Sequence, residues 1–174
     1  MHRTRSPARG CHSLMACTLL AVMIWLGGCL QATKTGAGSA PEIQAGRWFH
    51  TDNKPTSAAL RGKLVFLYFF ATDCADCTAP VMPRLNALQS DWEDRDLVVV
   101  ALTHEQPVIV EQFVHARPVH FTVGAASNTA QKYGVTAIPY GILIGRDGEI
   151  AWEGDPREGL DEAVELVDMR AKSE

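Results

Sequence analysis

The chain has no second C-x-x-C, no His-x-x-x-His, no internal repeat and no surplus of positive charge. Without a second cysteine pair or a paired-histidine motif, it lacks the four-ligand set that structural metal sites use. Its 174 residues carry 16 Lys and Arg against 20 Asp and Glu, a formal charge of −4. That balance argues against nucleic acid as a partner, because phosphate backbones are met by clustered Lys and Arg. Long apolar runs are missing too: Leu14 to Leu26 falls short of the roughly 20 residues that cross a bilayer.

What is present begins with a leader. Arg3, Arg5 and Arg9 precede the apolar run, which ends in Leu26-Gly27-Gly28-Cys29. This order reads as an export signal, and its last four residues resemble the bacterial lipobox, after which a Cys is lipidated. The plainer alternatives are an uncleaved anchor or an ordinary signal peptide. The expected organisation is residues 1–28 as lipoprotein signal peptide, 29–44 as lipidated Cys29 plus a flexible tether, and 45–174 as one folded domain. The tether is small and polar, Gln-Ala-Thr-Lys-Thr-Gly-Ala-Gly-Ser-Ala-Pro, with a reach of roughly 20 Å. Loss of the leader removes Cys11 and Cys17 and makes the remainder more acidic. Only Cys74 and Cys77 are then left for thiol chemistry, in an oxidising compartment where such a pair rests as a disulfide. The expected location is the cell envelope, anchored to a membrane and facing the periplasm.

The rest of the chain alternates strand and helix patterns. Arg47 to His50 reads as a short strand, and Leu64 to Phe70 and Leu97 to Thr103 as buried ones. Val81, Leu85 and Leu88 recur at helical spacing, with Pro80 and Pro83 expected to delay or kink that helix. Val108 to Ala116 and Asn128 to Tyr133 read as further helices, the second stopped by Gly134. Asp147-Gly148 marks a hairpin between Ile142 to Gly145 and Glu149 to Glu153. A closing helix, Leu160 to Arg170, turns Leu160, Val164 and Val167 inward. These elements predict an α/β domain with a mixed central sheet flanked by helices and extended by an N-terminal strand.

Cys74-Ala75-Asp76-Cys77 follows the strongest buried strand, so the two thiols open the next helix. There the backbone N-H groups of the first turn favour a thiolate, which makes Cys74 the expected attacking group and Cys77 the resolving one. Asp73 and Asp76 oppose that ionisation and favour the disulfide, which predicts a potential nearer the reducing end, below about −180 mV. A structural disulfide is the plainer alternative, but so small a loop adds little chain-entropy stability.

Three segments in this order resemble the thioredoxin superfamily, and within it the membrane-tethered TlpA-like and ResA-like thiol-disulfide oxidoreductases: Leu60-Arg61-Gly62-Lys63, Ala71-Thr72-Asp73-Cys74-Ala75-Asp76-Cys77, and Tyr133-Gly134-Val135-Thr136-Ala137-Ile138-Pro139. The resemblance implies a thioredoxin-like fold with four or five strands in a mixed sheet and a cis bond before Pro139 facing the disulfide. It implies that backbone groups of Ile138 pair with an extended substrate, and that Glu105 lies near the thiols as a proton acceptor. A solvated loop acid is the bland alternative for Glu105. The chain departs from the pattern in four places. Asp73 stands where the family usually has Trp, and Tyr68 where thioredoxin keeps a buried acid. Tyr140 follows the proline in place of Thr, and Pro80 and Pro83 replace a single helix proline.

The function implied is reduction of disulfides in exported proteins, such as those of cytochrome c maturation, with electrons from a membrane donor and without cofactor or metal. Two other functions remain open. One is a redox-inert thioredoxin-like module for binding or metal assembly. The other is a thiol peroxidase, disfavoured because Ala71 occupies the Thr position of the peroxiredoxin T-x-x-C.

Overall fold

A computed structural model of the chain describes residues 39–172. The leader and Cys29 lie outside the described residues. The element order is β1 (Arg47–Phe49), β2 (Leu64–Phe69), α1 (Ala75–Thr78), α2 (Val81–Asp91), a 3₁₀ turn (Glu93–Arg95), β3 (Leu97–Leu102), α3 (Pro107–Ala116), β4 (Thr122–Ala125), α4 (Thr129–Lys132), β5 (Tyr140–Ile144), β6 (Ile150–Gly154) and α5 (Leu160–Ala171). The strands form one sheet in the order β1-β4-β3-β2-β5-β6. Pairing is parallel for β2 with β3 and β3 with β4, and antiparallel for the remaining neighbours.

The sheet is mixed and flanked by helices, as expected, but it has six strands and not four or five. The sixth is β4, whose sequence Thr-Val-Gly-Ala carries no strand signal of its own. Gly124 explains the weak signal: a Cβ there would stand 2.7 Å from the Trp48 ring and 2.8 Å from Leu102, so close packing against β1 and β3 requires glycine.

All six residues of β2 are buried, because both faces of the strand are covered. Leu64, Phe66 and Tyr68 join Leu85, Val110, Phe113 and Val164 on one face. Val65, Leu67 and Phe69 join Ile43, Val100 and Ile142 on the other. The crossovers β2 to β3 and β3 to β4 step along the sheet in the same direction, and right-handed connections then set α2 and α3 on the same face. The prolines act as expected. Helix α1 stops at Thr78, and the chain resumes as α2 with Pro83 inside its first turn, where a missing N-H costs nothing.

The second face corrects the tether boundary. Residues 39–44, expected to be tether, are packed on the domain. Ser39 bridges Glu149, the Ala40 amide donates to the Gly148 carbonyl at 3.0 Å, and Tyr133 Oη donates to the Pro41 carbonyl at 2.7 Å. Ile43 is buried, the apolar side chain in this polar stretch that gives the segment a reason to dock. Among the described residues, no helix is long and apolar enough to cross a membrane.

Candidate active site

The register places Phe69, Leu102 and Tyr140 at one end of the sheet and Leu64, Leu97 and Ile144 at the other. The first end gathers the expected site. There β2 runs into Ala71-Thr72-Asp73, and Cys74 caps α1 in an extended conformation. Cys74 and Cys77 are joined as a disulfide, Cα to Cα 5.2 Å. Cys77 is fully buried, whereas Cys74 is only partly buried. The Cys77 amide donates to Cys74 Sγ at 3.1 Å, so a backbone dipole already points at the sulfur that would carry charge on reduction. Thr78 Oγ1 donates to the Cys74 carbonyl at 3.1 Å and fixes the turn from below.

Tyr68, at the position of the buried acid in thioredoxin, is fully buried and stacked on Phe70 with ring centroids 5.8 Å apart. Its hydroxyl donates to the Cys77 carbonyl at 2.7 Å. Burial, reinforced by the negative charge of Asp155 and only partly offset by Arg157, pushes the phenol far above its ordinary range. Tyr68 is therefore a hydrogen-bond donor at neutral pH and not a base.

Glu105 sits beyond the end of β3 and reaches across to the loop before Cys74. Its Oε1 accepts from Thr72 Oγ1 at 2.7 Å, and its Oε2 accepts from the Thr72 amide at 2.8 Å and from Thr103 Oγ1 at 2.9 Å. Both carboxylate oxygens are thus engaged by uncharged donors. The backbone is fastened as well, with the Ala126 amide donating to the Glu105 carbonyl at 2.8 Å. Glu105 is consequently tied to the cysteine loop through Thr72, a partner the sequence did not single out.

The Ile138-Pro139 bond is cis. Ile138 is 42% exposed, large for an isoleucine, and it edges a cavity of about 240 Å³ between Val135, Phe69, Phe70, Thr103 and His104. Among the described residues, no group of three or more His, Cys, Asp or Glu is placed to hold a metal ion.

Two further residues at this end were not anticipated. Beyond β6, Asp155 and Arg157 form a closed pair, with Arg157 Nε 3.0 Å from each carboxylate oxygen. Arg157 Nη1 lies 3.6 Å from Asp76 Oδ2, within the C-x-x-C itself. The hydrogen bond from Arg157 is the main reason the Asp155 carboxyl is held below its usual range. Nothing in the local sequence marks this approach, since the turn after β6 meets α1 only through the order of the strands.

Comparison with known proteins agrees with this geometry. Residues 38–153 match the AhpC/TSA family. A thiol-disulfide oxidoreductase ResA of Halalkalibacterium halodurans is 29% identical over 118 residues, covering 64% of this chain and 66% of the relative. The ResA of Bacillus thuringiensis is 34% identical over 96 residues, covering 52% of this chain and 54% of the relative. The chain therefore spans between half and two thirds of these relatives. Among solved structures, a thioredoxin-like superfamily protein superposes with a TM-score of 0.68 at 26% identity, covering 76% of this chain and 97% of the other. A putative thiol:disulfide interchange protein DsbE from Chlorobium tepidum gives 0.67 at 22% identity with the same coverage, a likeness of fold. The fold is thioredoxin-like.

Proposed function

The chain belongs to the AhpC/TSA family, and from that premise we propose that it is a thiol-disulfide oxidoreductase, held at a membrane by a lipid on Cys29, that reduces disulfides in exported proteins. The observation that carries this is the asymmetry of the pair, a partly buried Cys74 whose sulfur receives an amide hydrogen and a fully buried Cys77 bonded to it.

In the reduced protein the Cys74 thiolate attacks one sulfur of a substrate disulfide. The second substrate sulfur leaves as a thiolate, and a mixed disulfide links substrate to Cys74. Cys77 then loses its proton and attacks Cys74 Sγ, which releases the first substrate sulfur and leaves Cys74 and Cys77 oxidised. Two electrons have passed to the substrate, and a dithiol donor at the membrane restores the pair. Glu105 is the proposed acceptor of the Cys77 proton, and its three hydrogen bonds leave one lone-pair site, on Oε1, to take it. Ile138 offers an apolar edge and backbone groups to an extended substrate beside Cys74.

The names of the relatives support this reading, as does Ala71, whose methyl group gives a peroxide no hydroxyl where peroxidases of the related group carry Thr. The test is capture of partners by a Cys77→Ser chain expressed in its own envelope. Mixed disulfides with exported proteins, absent when Cys74 is also replaced, are expected. An empty trap, with a Cys74 thiol slow towards alkylating agents, would leave the redox-inert module as the better account.

A further inference from the structure

Asp76 lies between the two cysteines, and its charge alone disfavours a thiolate beside it. The structure supplies the opposite charge from the turn after β6. Arg157 is not a loose surface side chain. Its amide donates to Asp155 Oδ1 at 2.9 Å, its Nε to both Asp155 oxygens, and its Nη2 to Asp155 Oδ2 at 2.5 Å. This grip orients the guanidinium plane and leaves Nη1 directed to Asp76, 3.6 Å away.

The turn is in turn held by the helix that follows the cysteines. Arg84 of α2 donates from Nη1 to the carbonyls of Pro156 at 3.0 Å and Arg157 at 3.2 Å, and pairs with Asp161 at 2.7 Å. Pro156 between them is buried. A chain of contacts thus runs from α2, through the turn, to the residue inside the C-x-x-C. The same turn lies close enough to Tyr68, whose hydroxyl touches the Cys77 carbonyl, for Asp155 and Arg157 both to act on it.

We propose that Arg157 is a positioning residue for the thiol chemistry: with its charge shared between Asp155 and Asp76, it offsets part of the negative charge within the C-x-x-C and favours the reduced pair over the disulfide. The proposal rests on the oxidoreductase reading for its purpose, but not for its measurement. The step measured is reduction of the Cys74-Cys77 disulfide by two molecules of glutathione. The protein disulfide takes two electrons and two protons, and the glutathione leaves as its own disulfide. Oxidised and reduced forms of the full chain are counted by alkylation and peptide mass of the segment bearing both cysteines, which separates it from Cys11, Cys17 and Cys29.

Arg157→Ala is expected to lower the equilibrium constant for reduction by about twofold to threefold, the size of a partly exposed ion pair, or about 9 to 14 mV for a two-electron couple. Arg157→Lys keeps the charge and should retain most of the effect, whereas Arg157→Glu should exceed Arg157→Ala in the same direction. Asp76→Asn should move the constant the other way, and all these shifts should shrink in 1 M salt. A purely structural Arg157 would change the urea midpoint and leave the glutathione equilibrium where it was. That outcome, or an unchanged constant in Arg157→Glu, overturns the proposal. If the wild-type pair cycles with glutathione, and Arg157 shifts it, but no substrate is trapped, the oxidoreductase reading fails while the role of Arg157 stands.

Discussion

Two carboxylates mark the two ends of the sheet, and they are held in opposite ways. At the disulfide end, Glu105 is bound by two hydroxyls and an amide, none of them charged. At the far end, Asp168 of α5 is fully buried and bound by three cations: Arg146 at 2.9 Å, Arg95 at 3.0 Å and Lys172 at 2.6 Å. Arg95 also stacks on Trp92, 3.8 Å from the ring centroid, and Arg146 donates to the carbonyls of Gly62 and Arg95. Three cations more than balance the charge of Asp168 where it sits, and it fastens α5 to the strand ends. Neutral donors fix Glu105 without cancelling it, so its negative charge remains beside the loop that carries Cys74. The far end, where residues 39–40 also join the β5–β6 turn, is built to hold, and the near end is built to react.

The strongest way to break the contrast is to remove the chemistry. Cys74→Ser is expected to abolish reduction of insulin disulfides and to lower stability by at most about 2 kcal/mol, the loop-closure limit for so short a bridge. Residual turnover above the uncatalysed rate would place the reactive thiol elsewhere. Asp168→Asn should do the reverse, costing about 2 to 3 kcal/mol because three cations lose their shared partner, while turnover per folded molecule stays the same. Burial alone would raise the Asp168 carboxyl, but hydrogen bonds from Lys172 and Arg146 and the nearby charges of Lys172 and Arg95 outweigh it and hold the pKa below its usual value. A depressed carboxyl gives stability that is complete above the unfolded pKa, about 3.9, and is lost as pH falls through the folded value. Urea midpoints of wild type and Asp168→Asn should therefore differ at pH 7 and converge in acid. A gap of the same size at pH 3 would mean that the charge is not what Asp168 contributes.

The near end was the more legible one. Cys74, Cys77 and Pro139 lie in motifs whose spacing survives translation into structure, and β2, β3 and α3 follow from runs and periods of apolar residues. What the sequence hid depends on contacts between distant segments. Asp168 continues the inward row of Leu160 and Val164 at helical spacing, and only the arrival of Arg95 and Arg146 makes the burial of a carboxylate there tolerable. The acidic run Glu93-Asp94-Arg95-Asp96 reads as a solvated helix end, yet Arg95 turns out to serve that cluster. Arg157 was invisible for the same reason, because β6 brings it to Asp76 by register with β5 rather than by any local pattern. Thr72 carries no role in the sequence of the cysteine motif, and only the position of Glu105 gives its hydroxyl a task.

Tyr68→Phe sharpens the comparison from within the core. The ring and its stacking on Phe70 persist, and only the donor to the Cys77 carbonyl goes. A cost of about 1 to 1.5 kcal/mol is expected from one buried neutral hydrogen bond. Since the phenol is pushed far above its usual range and stays protonated, the pH dependence of Cys77 alkylation in the reduced protein should keep its midpoint. A displaced midpoint would make Tyr68 part of the proton path.

The smallest expected effect tests the Glu105 end directly. Thr72→Val keeps the amide bond to Glu105 Oε2 and removes the hydroxyl bond to Oε1, at a cost of about 1 kcal/mol. Glu105→Gln retains the side chain's length but places an NH2 group at one oxygen, so Thr72 Oγ1 must turn from donor to acceptor and a charged acceptor becomes a neutral one. If Glu105 acts by holding the cysteine loop, the two substitutions disturb the same bonds. The double variant should then be less destabilised than the sum of the singles, a coupling of at least about 0.5 kcal/mol. If Glu105 also acts on the proton of Cys77, Glu105→Gln should move the pH midpoint of Cys77 alkylation, whereas Thr72→Val should leave it in place. Asp168 provides the reference, since its substitution at the far end should be additive with either.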